Sequence, residues 1–301
     1  MSESAEFYEG LENMSVKGGS DIGVVAAAAL RAYAFEISQN NPQYYELIEQ
    51  YGERLKALKP TMASVHNIVD QIIGLIQETD ITTPEGRKAL ITFVDRYKAA
   101  TEEALQEIAQ LFANIVVNGD VILTHSFTKS ALYALENAAQ SGKRFSVICT
   151  ESRPLCEGAY LATRLASLGI QATVITDAAM AHYLPRCTKV IVGADALYTD
   201  GTIVNKMGTL PVAILARTFN KPVYALAITS KLYMPSRRGL RLELESRPET
   251  EVMDRPRDGP AGANLKVENI FFEEVPEEYV TYLVTEKGLL KPSQLLEAAR
   301  D

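Results

Sequence analysis

Lys189-Val-Ile-Val-Gly193-Ala194-Asp195 is a short run, apolar on both faces of an extended chain, that ends in two small residues and an acid. Four other runs share its character, at 121–124, 145–149, 172–176 and 222–227. Amphipathic helical stretches separate them, at 130–140, 159–167 and 212–219. Strands that are apolar throughout and alternate with helices belong to a parallel sheet covered on both faces. Its crossovers are expected to be right-handed. Residues 119–301 are therefore expected to form a doubly wound, Rossmann-like α/β domain.

Upstream the rhythm differs. Val65, Ile68, Val69, Ile72 and Ile76 recur at three- and four-residue steps, and Leu105, Ile108, Leu111, Phe112 and Ile115 do the same on a helix that can begin near Pro84. Asn40-Asn41-Pro42 and Lys59-Pro60 punctuate the segments, since the residue before proline avoids helical backbone angles. Residues 1–118 thus read as a helical N-terminal domain. The stretch 246–264 mixes Pro, Gly, Arg, Asp and Glu and reads as a long solvated loop or lid.

The chain has 301 residues, 47% hydrophobic and 23% charged, an ordinary globular composition. Its net charge of −8 argues against non-specific binding to nucleic acid. The three cysteines, Cys149, Cys156 and Cys187, fit neither a metal knuckle nor a disulfide framework. The N-terminus has no basic region followed by an apolar run, and the apolar run 22–30 is too short to span a bilayer. A reduced, cytoplasmic protein with no membrane partner is expected.

In an open parallel sheet, ligands bind beyond the carboxyl ends of the strands. Each strand end here is followed by polar residues: Thr124-His125-Ser126, Thr150-Glu151-Ser152-Arg153, Thr176-Asp177, Asp195 and Thr229-Ser230-Lys231. Helix capping explains any one of them. Together, with an Arg, a Lys and two Asp, they suggest a site for a small polar anion. Asp195, at the mouth of a buried strand, suits acid/base work if burial raises its pKa, and capping remains the alternative. Asn205 and Lys206 offer an amide and a cation but by pattern are loop residues. Nucleotide fingerprints are absent, although Lys17-Gly18-Gly19-Ser20 can feed a helix whose N–H groups face a phosphate. His66, His125 and His182 lack metal-ligand spacing, and no G-x-S-x-G elbow surrounds Ser126. No metal or cofactor is expected.

The segments Lys59-Pro-Thr-Met-Ala-Ser-Val-His-Asn67, Thr124-His-Ser-Phe-Thr-Lys-Ser130, Thr150-Glu-Ser-Arg-Pro154, Ile175-Thr-Asp-Ala178, Val192-Gly-Ala-Asp195, Val204-Asn-Lys-Met-Gly-Thr209 and Glu278-Tyr-Val-Thr-Tyr-Leu-Val-Thr-Glu-Lys-Gly288 occur in this order. From about Met14 onward the chain resembles the family that joins the initiation factor 2B alpha, beta and delta subunits, ribose-1,5-bisphosphate isomerase and methylthioribose-1-phosphate isomerase. The resemblance implies a sugar-phosphate pocket between a helical and a Rossmann-like domain, and homodimers or larger assemblies. It implies an acid/base role for Asp195. Sugar-phosphate contacts are implied for Lys17, Gly18, Gly19, Lys59, His125, Arg153, Glu157, Asn205, Lys206 and Lys231.

The departures shape the functional expectation. The isomerases' Thr-x-Cys-Asn is here Thr124-His125-Ser126-Phe127, so a hydroxyl stands where a thiol shuttles protons. Two phosphate-binding arginines read as Lys17 and Lys59, which lose bidentate geometry. A glutamine reads as Glu157. The serine of Thr-His-Ser resembles the initiation-factor alpha subunits. The leading expectation is an alpha-subunit-like protein that binds a sugar phosphate without standard isomerase catalysis, with initiation factor 2 or related subunits as partners. The alternative is an aldose–ketose isomerase whose proton shuttle is rebuilt around Asp195, Glu157 and Cys156.

Overall fold

The computed structural model describes residues 2–16, 18–37, 40–253 and 265–299. Lys17 and the 254–264 part of the expected lid lie outside them. Five helices come first: α1 (Glu3–Glu12), α2 (Gly19–Glu36), α3 (Tyr44–Leu58), α4 (Ala63–Glu78) and α5 (Pro84–Ile115). Thr83 caps α5, its Oγ1 accepting the Gly86 N–H, with Pro84 fixing the first turn. The α4 stripe of Val65, Ile68, Val69 and Ile72 is fully buried, as the three- and four-residue spacing predicts. α5 divides along its length. Leu90 and Val94 pack with the other helices, while Leu105, Ile108 and Phe112 pack on the sheet.

The main sheet has seven strands. Five fall close to the expected runs: β1 (Val121–Thr124), β2 (Ser146–Thr150), β3 (Gln171–Ile175), β4 (Lys189–Gly193) and β7 (Val223–Leu226). β10 (Tyr282–Thr285) and β11 (Gly288–Leu290) complete it, in the order β11-β10-β7-β4-β1-β2-β3. Every neighbouring pair is parallel except β10 with β11. Helices α6 (Lys129–Gln140), α7 (Glu157–Ser167) and α9 (Thr209–Thr218) cover the sheet, and the short α8 (Met180–Tyr183) and α10 (Leu295–Ala298) lie at its margins. The connections reverse direction between β1 and β4, which opens a crevice at the carboxyl ends of those two strands. β4 is buried throughout, but β3 is an edge strand with Val174 about half exposed, so the expectation of apolar burial fails there.

A second, four-stranded sheet was not expected. β5 (Ala196–Tyr198) and β6 (Ile203–Lys206) form a hairpin over the Asp200-Gly201 turn, where Gly201 has φ +85°. β8 (Leu232–Tyr233) and β9 (Phe272–Val275) flank it in the order β8-β5-β6-β9. Asn205 and Lys206 therefore end a strand rather than a loop. Their partner β9 is far downstream, so short-range pattern does not reveal the pairing. Tyr198, Val204, Phe271 and Phe272 bury into the core of the helical half, so this sheet joins the two halves. Among the described residues no helix is long and apolar enough to cross a membrane.

Candidate functional site

Asp195 leaves β4 at the crevice, its N–H donating to Val204 O at 2.7 Å. The N-terminus of α2 lies against it. Gly18 adopts φ +93°, and a Cβ on Gly19 would come within 2.5 Å of Asp195 Oδ1 and 3.2 Å of Lys231 Nζ. Only glycine allows that approach. No side chain caps α2, so its first N–H groups are left to serve an acceptor in the crevice. Lys231, on the turn after β7, is buried and donates to Ala194 O at 2.7 Å. Burial lifts the Asp195 carboxyl to about 6, against the pull of Lys231 in the opposite direction. Burial likewise holds the Lys231 ammonium below its ordinary range.

Across the crevice stand Ser126 and Glu157. Ser126 has φ +64°, and its N–H donates to Ser152 Oγ at 2.7 Å. Its hydroxyl donates to Glu157 Oε2 at 3.2 Å. Glu157 opens α7 and forms an ion pair with Lys206, Nζ to Oε2 3.1 Å. Lys206 is 2% exposed, and its ammonium lies 3.2 Å from the Phe271 ring centroid. The pairing with Glu157 lacks hydrogen-bond geometry, so a buried ammonium stands without a directed acceptor. Burial lowers its pKa against the opposing effect of Glu157.

Gly18, Gly19, Ser126, Glu157, Asp195 and Lys206 share one cavity of about 240 Å³. Its remaining wall is apolar, with Met14, Val16, Ile22, Met62, Phe127, Leu155, Phe271 and Phe272. Pattern reading missed this wall. Phe272 reaches it on the unforeseen strand β9 and Phe271 just before that strand, and Ile22 and Met62 carry only the ordinary signature of helical core. Mixed walls of this kind, apolar with a few converging polar groups, are typical of small-molecule sites.

Other candidates sit elsewhere. His125 is 1% exposed and lies outside the cavity lining. Its Nε2–H donates to Met207 O at 2.8 Å, so Nδ1 accepts from the Thr150 hydroxyl at 2.7 Å. Burial pushes its pKa down, consistent with this neutral tautomer. Its ring is a strut under Gly208, where a Cβ would come within 2.6 Å of it, and it does not touch the Ser126 hydroxyl. Arg153 points outward, its guanidinium donating to Glu251 O (3.3 Å) and Val252 O (3.1 Å). Asn205 donates to Thr209 Oγ1 at 2.9 Å behind the cavity. Lys59 is buried beside it, 3.0 Å from Met14 Sδ, a weak acceptor, and burial lowers its pKa. Cys156 caps α7 but is not part of the lining. Among the described residues no cluster of His, Cys, Asp and Glu could hold a metal ion.

The model of the initiation factor 2 subunit family matches residues 15–292. Ribose 1,5-bisphosphate isomerase of Methanocaldococcus jannaschii is 32% identical over 95% of this chain and 91% of its own length. The protein of that name from Haloferax volcanii is 32% identical over 97% and 90%. A solved Pyrococcus horikoshii structure described as translation initiation factor eIF-2B superposes with a TM-score of 0.82 at 30% identity, covering 97% of this chain and 98% of that one. The 5-methylthioribose 1-phosphate isomerase of that organism shares the fold, with a TM-score of 0.75 at 24% identity over 99% of this chain and 87% of that one.

Proposed function

The chain belongs to the initiation factor 2 subunit family, and on that premise we propose that it is an aldose–ketose isomerase acting on a sugar 1-phosphate. Asp195 carries the reading. Its carboxyl titrates near 6, within a small cavity shared with an uncapped helix N-terminus and a buried cation. A sugar 1-phosphate has no free carbonyl, so isomerisation must open the ring and move a proton from C2 to C1. A carboxyl poised near neutrality can protonate the ring oxygen as the C1–O bond breaks, then accept the C2 hydroxyl proton as the ketone forms. The N–H groups at Gly19, with Lys206, Lys231 and Lys59 nearby, offset phosphate charge. Whole-length identity to proteins named ribose 1,5-bisphosphate isomerase supports this reading over the non-catalytic one expected from Ser126. A homo-oligomer is part of the proposal.

Ribose 1,5-bisphosphate and 5-methylthioribose 1-phosphate, incubated separately with the protein, are the test. The expected product from one of them is a ketose phosphate, and Asp195→Asn abolishes it. No ketose at high enzyme concentration overturns the reading. In that event the second reading moves forward, a sugar-phosphate-binding partner of initiation factor 2. It rests on the Ser126 hydroxyl and the 30% identity to the eIF-2B structure, and a pull-down of initiation factor 2 tests it.

A further inference from the structure

Isomerisation by proton transfer needs a second carrier besides Asp195, one that takes the proton from C2 and returns it to C1. We propose that Glu157 is this carrier, a catalytic base held in place by Lys206 and Ser126. The inference rests on the isomerase reading and names the second half of its chemistry.

Glu157 enters the cavity from the first turn of α7, facing a space that Asp195 also lines. Its Oε2 is fixed from two sides, by the Ser126 hydroxyl at 3.2 Å and the Lys206 ammonium at 3.1 Å. Both partners are themselves tied to neighbouring residues. Ser126 is tied through its backbone to Ser152, and Lys206 is buried against Phe271. Oε1 has no hydrogen-bond partner among the described residues and is available to a substrate. The hydroxyl of Ser126 is a poor proton acceptor on its own, and the side chain that takes its hydrogen bond is a carboxylate rather than an imidazole. His125 has both ring nitrogens engaged elsewhere. The group beside Ser126 best able to take a carbon-bound proton is therefore Glu157.

The step balances. The Glu157 carboxylate takes the C2 proton, the C–H electron pair becomes the C1=C2 bond, the C1–ring oxygen bond breaks, and the Asp195 carboxylic acid protonates that oxygen. The resulting enol phosphate then gives its C2 hydroxyl proton to Asp195 as C2=O forms, and C1 takes the proton held on Glu157. Both side chains return to their starting states.

The experiment compares wild type, Glu157→Gln, Ser126→Cys/Glu157→Gln and Asp195→Asn. It uses ribose 1,5-bisphosphate and 5-methylthioribose 1-phosphate carrying deuterium at C2. Glu157→Gln preserves shape and is expected to lower kcat by about 10²–10⁴-fold with little change in KM. A thermal-shift measurement with the same sugar phosphate verifies that the variant folds and binds. Placing a thiol at Ser126 in the Gln background supplies a new carrier with a pKa near ~8.5, so part of the activity returns with an alkaline-shifted pH profile. Full activity in Glu157→Gln, alongside an inactive Asp195→Asn, overturns the role of Glu157 and leaves the isomerase reading standing. Absence of turnover and of deuterium loss in wild type, with both sugars, overturns the two together.

Discussion

Replacing Asp195 with asparagine removes a titration without altering shape, and the structure sets the size of the effect. The carboxyl titrates at about 6 when folded and at an ordinary 3.8 when exposed. At about 1.36 kcal/mol per unit, the difference corresponds to about 3 kcal/mol. The sign follows from proton binding. Because the folded pKa is raised, the carboxyl costs the fold nothing below ~3, where both states are protonated. As pH rises from there to 6 the unfolded chain is already ionised while the folded one is not, and stability falls by the full amount. Asparagine does not titrate. The stability of Asp195→Asn relative to wild type should therefore grow by about 2.5 kcal/mol between pH 4 and pH 7. With an unfolding entropy of about 2.1 cal/mol/K per residue, the gap in apparent Tm widens by roughly 4 °C over that range. Differential scanning fluorimetry across pH 4 to 7.5 measures it. A gap that stays constant with pH would show that Asp195 is not held in its protonated form, and the acid/base argument would lose its basis.

Other outcomes follow from the same geometry. Gly19→Ala drives a methyl against Asp195 and Lys231, and is expected to weaken sugar-phosphate binding at least tenfold and cost about 1–3 kcal/mol, read by thermal shift with and without ligand. His125→Ala removes the strut beneath Gly208 and should destabilise by about 2–4 kcal/mol in urea titrations, while activity per folded molecule falls by less than tenfold. Burial would raise the Asp120 carboxyl, but its pairing with buried Lys189 and the N–H it accepts from Val117 hold it below the usual range. That stabilisation is present above ~4 and lost as pH falls further, and Asp120→Asn should cost about 3–5 kcal/mol at neutral pH by leaving the buried Lys189 charge without a counter-ion.

Much of the architecture was legible in residue order. Strands such as 189–193, apolar on every side, have no stable place except the middle of a parallel sheet, and helical stripes such as that of α4 announce their buried face. The crevice followed, because the sheet topology dictates where loops converge. Composition of the site was legible only in part. Asp195 and the glycine pair stand at local signals, a strand end and a conspicuous turn, whereas Glu157 and Lys206 are reached only through the family resemblance, since by pattern Lys206 reads as a loop residue. His125 shares such a position, yet its direction depends on Met207 and Thr150, contacts that sequence adjacency does not encode. Arg153 likewise turns outward to carbonyls about a hundred residues away. Phe271 and Phe272 escaped notice because β9, which starts at Phe272, pairs with a hairpin more than sixty residues upstream.

The longest helix has a consequence for how substrate arrives. At ~1.5 Å per residue, the 32 residues of α5 make a rod of about 48 Å, anchored at one end among helices and at the other on the sheet. A beam clamped at both ends resists swinging apart like a clamshell, so wholesale opening of the two halves would require it to bend. Access to the crevice should instead come from local movement of side chains in the cavity's own wall, with the packed helix left in place.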